Sequence, residues 1–305
     1  MAEVEKRLAT LVGGHGGRLA AEAGSTLSAG GKRLRPMLVL VCAGRGAGAE
    51  SVRAAGAVEL VHMATLVHDD VLDVAPFRRG RPTVFARSGR AAATAVGDLL
   101  LSRAFAELAD SSEGAAPRVA LLASASVGLA QGELAQRRDA YDLSISAERY
   151  LERCRLKTAR LFECACLIGD GADPGGTDAE ALVTFGREVG LAFQLLDDVL
   201  DVEGPAERTG KARGTDLLDG TVTLPLILAR DRDARLAALE LRSLDSREAG
   251  RVCDRIAASG SLAEVRDDAR ERVERAKRAL AATALDEERR RLLTMIADEV
   301  VERYS

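Results

Sequence analysis

The pentapeptide Asp-Asp-Val-Leu-Asp occurs at residues 69–73 and again at 197–201. Each copy lies in an apolar stretch, Leu60–Val74 and Val189–Val202, whose spacing predicts a helix. Residues three and four apart on a helix share a face. Asp69, Asp70 and Asp73 therefore form one carboxylate patch, and Asp197, Asp198 and Asp201 a second. Six carboxylates on two apolar helices repel unless a counter-charge is supplied, and an all-oxygen ligand set suits Mg²⁺. One such pattern arises by chance in roughly one chain in ten, and two on apolar helices are far rarer. The flanking residues of the two copies do not match, which argues against a tandem duplication.

Outward from these segments, composition sets the fold class. Of 305 residues, 47% are hydrophobic but only 3% aromatic, and Trp is absent. A core of Ala, Leu and Val is that of packed helices. The length prior suggests about two domains. No long linker and no strict period-two alternation interrupts the chain, however, so the expectation is all-α, one single-domain helical bundle over 1–305. The net charge of −4, with both signs mixed, lacks the basic footprint of a nucleic-acid binder. The five cysteines are odd in number and lie in apolar helical stretches, the pattern of buried free thiols. Cys164-x-Cys166 has no second pair or nearby His to complete a metal site. No signal peptide and no apolar run of about 18 residues is present, so a cytoplasmic protein is expected.

In chain order, 2–27 reads as an amphipathic helix or a pair broken near Gly13–Gly17. Gly30-Gly31-Lys32-Arg33-Leu34-Arg35-Pro36 then opens a helix, and could be either a solvated basic turn or a diphosphate seat. The first Asp cluster is followed by the basic loop Pro76–Pro82. Helices are predicted at 91–110, at 116–139 and around 147–169, the last carrying Lys157-Thr158-Ala159. By itself that Lys-Thr pair reads as a snorkelling cation and a satisfied hydroxyl. The stretch 203–221 is polar and irregular, as expected of a flap, and the C-terminal third alternates with helical period, with turns at Gly250, Gly260 and Asp286.

Taken together, the motifs resemble the trans-isoprenyl diphosphate synthases. Those that carry the likeness are Gly-Gly-Lys-Arg-Leu-Arg-Pro at 30–36, His-Asp-Asp-Val-Leu-Asp at 68–73 and Arg-Arg-Gly-Arg-Pro-Thr at 78–83. Lys-Thr-Ala at 157–159, Phe-Gln-Leu-Leu-Asp-Asp-Val-Leu-Asp at 193–201 and Thr-Leu-Pro at 223–225 follow in the same order. The resemblance implies helices around a deep central cavity and a homodimer. It implies that Lys32, Arg35, His62 and Arg79 hold the diphosphate of isopentenyl diphosphate. Asp69, Asp73 and Asp197, supported by Asp70, Asp198 and Asp201, would bind about three Mg²⁺ ions bridging the allylic diphosphate. Arg78, Lys157, Thr158, Gln194 and Lys211 would contact that allylic substrate, farnesyl or geranylgeranyl diphosphate. Lys157 would join the aspartates in catalysis, and transient membrane contact would accompany product release. One departure stands out: Thr221 occupies a position where the family often carries Lys.

The residues before Asp69 bear on product length. Thr65 and Ala64 lie four and five positions earlier, where short-product members place an aromatic floor. Four residues of helix advance about 6 Å, close to one isoprene unit. Val61 and Ala57 continue that face without a plug, which favours a hexaprenyl to octaprenyl product, a quinone side-chain precursor. A floor would then come from Phe105 or from the helix at 121–129. The competing readings are a shorter-product synthase, a class I terpene cyclase and a non-catalytic partner subunit. A cyclase has no use for the second diphosphate seat at Lys32 and Arg35, and partner subunits usually lose aspartates that this chain retains.

Overall fold

The computed structural model describes residues 1–305 apart from 15–16, 29, 111–113, 172, 174, 205–212, 282 and 303–305. Helices α1 (Ala2–Gly13), α2 (Gly17–Ser28), α3 (Leu34–Ala43) and α4 (Ala49–Leu72) come first. A hairpin of β1 (Phe77–Arg78) and β2 (Arg81–Pro82) separates α4 from α5 (Val84–Ala109). Helices α6 (Ala115–Arg138) and α7 (Ala147–Cys154) follow, then a π-helical turn, Arg155–Ala159, then α8 (Arg160–Gly169) and α9 (Ala179–Glu203). The remainder comprises α10 (Thr215–Leu218), α11 (Leu224–Arg230), α12 (Ala234–Ala237), α13 (Ser246–Ala258), α14 (Ser261–Ala281) and α15 (Glu287–Glu302). The expected all-α class is what the chain adopts. No helix among the described residues is long and apolar enough to cross a membrane.

The chain forms two compact units. The first comprises Met1–Ser126, Leu161–Val183 and Thr283–Leu293. Its axis is α4, buried almost continuously from Ala54 to Ala64 and packed against α5, α3 and α1. Gly97 of α5 leaves room for the His68 imidazole of α4: a Cβ there would lie 2.2 Å from His68 Nε2. Arg7 of α1 donates to Glu107 of α5 through Nε and Nη2, at 2.5 and 2.8 Å, which ties the helix pair at a buried carboxylate. The second unit comprises Val127–Arg160, Thr184–Ala282 and Thr294–Ser305. There α9 buries Val189, Ala192 and Leu195, and α11 packs on α14. All five cysteines are free and buried.

Sequence expectations change at two glycines and in the stretch 203–221, expected to be irregular, where Thr215–Leu218 is helical. Gly250 marks no turn but lies inside α13. A helical glycine costs roughly 1 kcal/mol; burial of Ala249, Val252, Cys253 and Ile256 on one face, with a capping box between Asp245 and Glu248, outweighs it. The helix expected from residue 91 starts at Val84, where Thr83 caps it by accepting from Ala86 N at 3.0 Å. It is interrupted by Gly89, at φ 79° and ψ 171°, so the first turn stands off from the apolar periodicity that follows.

Candidate functional site

In the first unit, Asp69, Asp70 and Asp73 close the C-terminal end of α4, with Asp73 as the cap residue. That end of a helix already carries the negative pole of its dipole, so three carboxylates there compound an unfavourable potential that a cation relieves. Asp70 is buried, and its Oδ1 accepts from Arg78 Nε at 2.7 Å; Asp69 and Asp73 remain partly exposed. Arg78 is placed by the hairpin, whose turn residues Arg79 and Gly80 both have positive φ, 52° and 72°. Thr83 locks the loop, donating its hydroxyl to Ala75 O at 2.7 Å and its N–H to Pro76 O at 3.1 Å.

A cationic cluster lies in the same unit. Arg33 caps α3 in the left-handed region, at φ 52°, held by Glu5 and by buried Glu59, each at 2.7 Å. Arg79 donates to Gly30 O, and a Cβ on Gly31 would sit 3.1 Å from Arg79 Nη1 and 3.2 Å from Arg33 Nη1. The glycines thus let two guanidinium groups pass close to the chain. Arg35 stacks over the Phe162 ring at 4.5 Å, and its buried Nε meets no hydrogen-bond partner among the described residues. Burial lowers its pKa to about 10, with Glu59 opposing. Lys32 is half-buried. His62 is held well below its ordinary value, by burial first and then by Arg35, Arg79, Arg78 and Arg33. A buried guanidinium with an idle donor, among further arginines, has the chemistry to hold a polyanion.

The depressed His62 value has a measurable sign. Below about pH 6.5 the unfolded chain takes up a proton that the folded chain refuses, so stability falls as pH drops through that value. Thermal melts from about pH 7.5 to about pH 5.5 are expected to show a smaller acid-side loss in His62→Gln than in the wild type. Parallel curves would mean that His62 titrates normally in the folded protein.

Also in this unit, His68 Nε2 lies 3.2 Å from Asp98 Oδ1, a pairing that sequence spacing gave no reason to expect. Of the product-length candidates, Ala64 and Val61 are buried, while Thr65 is half-buried and donates to His62 O at 2.8 Å. Phe105 is half-buried. Val61 and Ala57 are 0% exposed, so the row of small residues presents almost no accessible surface beyond Thr65.

In the second unit, Asp197 is exposed, Asp201 half-buried and Asp198 buried. Asp198 Oδ1 accepts from Gln194 Nε2 at 2.8 Å and its Oδ2 accepts from the Tyr150 hydroxyl. Burial, reinforced by the charge of Asp216 and then of Asp197, raises its pKa to about 8 against the pull of those two hydrogen bonds. Gln194 Oε1 in turn accepts from Thr158 Oγ1 at 2.7 Å. Lys157 and Thr158 lie in the π-helical turn, and Lys157 Nζ donates to Glu133 of α6. Burial pushes Glu133 up, but Lys157 and Arg137 outweigh it and hold the carboxyl below its ordinary range. Gly132 lets the turn approach α6: a Cβ there would lie 2.5 Å from Lys157 N. Asp201 accepts from Asp216 N at 3.3 Å, docking α10 onto the cluster. Thr221 N donates to Asp216 O at 2.8 Å, and Lys211 lies outside the described residues.

The donor chemistry fits a hard divalent cation. The accessible groups, Asp69, Asp73, Asp197 and Asp201, are all carboxylates. Among the described residues no group of three or more His, Cys, Asp or Glu side chains already forms a cage. Oxygen ligands of this kind are those that Mg²⁺ and Ca²⁺ take. Sequence reasoning missed Tyr150, Gly132 and Glu133, which act across helices from positions without motif spacing.

Helices carrying Asp-rich ends, with guanidinium-lined seats for anions, define an isoprenoid-synthase type of fold and site. The chain belongs to the polyprenyl synthetase family, whose model matches residues 18–254. It is 40% identical over 242 residues to heptaprenyl diphosphate synthase component 2 of Geobacillus stearothermophilus, covering 78% of this chain and 75% of the relative. It is 38% identical over 264 residues to octaprenyl diphosphate synthase of Escherichia coli, covering 83% and 80%. Among solved structures, a polyprenyl synthase from Caulobacter crescentus, complexed with calcium and isoprenyl diphosphate, superposes with a TM-score of 0.87 at 34% identity. That match covers 100% of this chain and 96% of the other. Geranylgeranyl diphosphate synthases are among the similar proteins too. The protein is thus a prenyltransferase of the trans-prenyl diphosphate synthase family.

Proposed function

We propose that the chain condenses isopentenyl diphosphate head-to-tail onto farnesyl or geranylgeranyl diphosphate, giving an all-trans hexaprenyl to octaprenyl diphosphate for a quinone side chain. It acts as one synthase domain over 1–305, Mg²⁺-dependent, in a cytoplasmic homodimer, with membrane contact limited to product release. The observation that supports the reaction is that each unit carries an Asp cluster near the C-terminal end of a helix, with the buried Arg35 guanidinium in the first unit as a candidate for a second diphosphate. The small residues Thr65 and Ala64 before Asp69, and the heptaprenyl and octaprenyl relatives, support the long product.

Lys32, Arg35, His62 and Arg79 hold the isopentenyl diphosphate, and neutral His62 donates or accepts a hydrogen bond without adding charge. Asp69, Asp73 and Asp197, supported by Asp70, Asp198 and Asp201, would hold the metal ions; Asp70 also fixes Arg78, and Asp198 also holds Gln194. When bound, the metal would supply electrostatic stabilisation to the departing diphosphate. Arg78, Lys157, Thr158, Gln194 and Lys211 orient that leaving group, and Lys157 stabilises its developing charge. The allylic cation left behind is attacked by the double bond of isopentenyl diphosphate, and the proton lost leaves with pyrophosphate.

The test is product analysis of the purified chain with labelled isopentenyl diphosphate, farnesyl diphosphate and Mg²⁺. Hexaprenyl to octaprenyl diphosphate is expected, whereas geranylgeranyl diphosphate as end product overturns the length assignment. A second reading follows from the "component 2" relative: a chain that works only with another subunit. No turnover by the purified chain, restored by adding a partner chain, would establish that reading.

A further inference from the structure

Tyr150 stands outside every motif that identified the protein, yet it is 1% exposed and its hydroxyl donates to buried Asp198 in the second Asp cluster. From there the bonds run on: Gln194 Nε2 to Asp198 Oδ1 at 2.8 Å, and Thr158 Oγ1 to Gln194 Oε1 at 2.7 Å. Tyr150 and Thr158 therefore grip α9 from two points on the α7–α8 segment, eight residues apart. In a regular α-helix eight residues turn through about 800°, leaving the two side chains roughly 80° apart in azimuth. The turn Arg155–Ala159 between them is π-helical and takes up one extra residue. Eight residues then turn as seven do, about 700°, which brings the two to within roughly 20° of one face. The π-helical turn is what allows both hydroxyls to reach the same stretch of α9.

We propose that Tyr150 is a positioning residue for the prenyl-transfer site: it fixes Asp198 and, through it, the amide of Gln194 and the hydroxyl of Thr158. Metal binding at the second Asp cluster and orientation of the allylic diphosphate are thereby set by one hydrogen-bond chain, with Tyr150 as its far anchor. This rests on the reaction proposed above. Each oxygen of Asp198 accepts one of these bonds, so Asp198 holds Gln194 and stiffens α9 between Asp197 and Asp201.

Tyr150→Phe keeps the ring and removes only the donor. Expected are a rise of about fivefold to tenfold in KM for the allylic diphosphate and in the Mg²⁺ concentration for half-maximal rate, with KM for isopentenyl diphosphate within about twofold of wild type. Calorimetric titration with magnesium and inorganic pyrophosphate is expected to show the same loss of affinity without any turnover. A variant that melts lower but keeps the wild-type allylic KM and pyrophosphate affinity reduces Tyr150 to packing and overturns the proposal. Should Tyr150→Phe fail to fold, 3-fluorotyrosine at position 150 keeps the ring and hydroxyl but alters the strength of the bond to Asp198, and the same split between the two substrates is required. Wild-type protein that neither binds magnesium pyrophosphate nor turns over would refute the proposed reaction itself, a result distinct from an unaffected Tyr150→Phe.

Discussion

Asp69→Ala is expected to lower turnover by about a thousandfold at saturating substrates and Mg²⁺, the loss reported when one transition-state electrostatic contact is removed. It is expected to leave the ligand-free fold intact. The two effects separate because Asp69 sits at the negative pole of α4 beside Asp70 and Asp73. Removing one of three like charges there relieves repulsion, and about 0.3–1 kcal/mol of added stability is the ordinary size of such a helix-end effect. Steady-state kinetics and thermal melting on the same preparation check both halves. A variant keeping more than about a tenth of wild-type activity sinks the metal assignment. A variant that loses activity together with its helix content would instead give Asp69 a structural role.

Gly132→Ala is expected to cost about 1–3 kcal/mol of stability, the usual range for overpacking, and to slow turnover at least tenfold. The methyl would lie 2.5, 2.8 and 2.9 Å from Lys157 N, Cα and Cβ, and two of those are backbone atoms that cannot rotate away. Relief has to come from moving the π-helical turn, and with it Lys157 and Thr158. Gly128→Ala, one helical turn earlier, is the control. Its nearest neighbour is Arg160 Cγ at 3.3 Å, on a flexible side chain. There the gain in helix propensity, up to about 1 kcal/mol, goes largely unopposed. Equal melting temperatures and equal rates for the two variants would show that the turn has room to give.

What could be read from the chain was whatever repeats with helical period or sits in a compact motif. The long apolar runs placed α4 and α9, and the Asp spacing placed both carboxylate patches on their helices. Arg33 shows where local reading stops: its left-handed backbone and its bonds to Glu5 and Glu59 depend on residues 28 positions before and 26 after it. The π-helical turn was invisible because one extra residue in a helix leaves composition and amphipathicity nearly unchanged. Tyr150 carried no signal for the same reason, since its partner is 48 residues away on another helix. Gly132 reads as an ordinary helical glycine until the backbone it faces is known.

The ion pair between Lys157 and Glu133 bears on how product leaves. A lysine carries up to about 2 kcal/mol of rotamer freedom, and here its chain is already ordered before any ligand arrives. Under the proposed reaction, an arriving diphosphate would exchange partners with one carboxylate and would not have to immobilise a loose ammonium. Glu133 would compete with the diphosphate for the same ammonium throughout, from a fixed distance at unvarying concentration. Under the proposed reaction, Glu133 acts as a built-in displacing anion that keeps the enzyme from being inhibited by its own pyrophosphate.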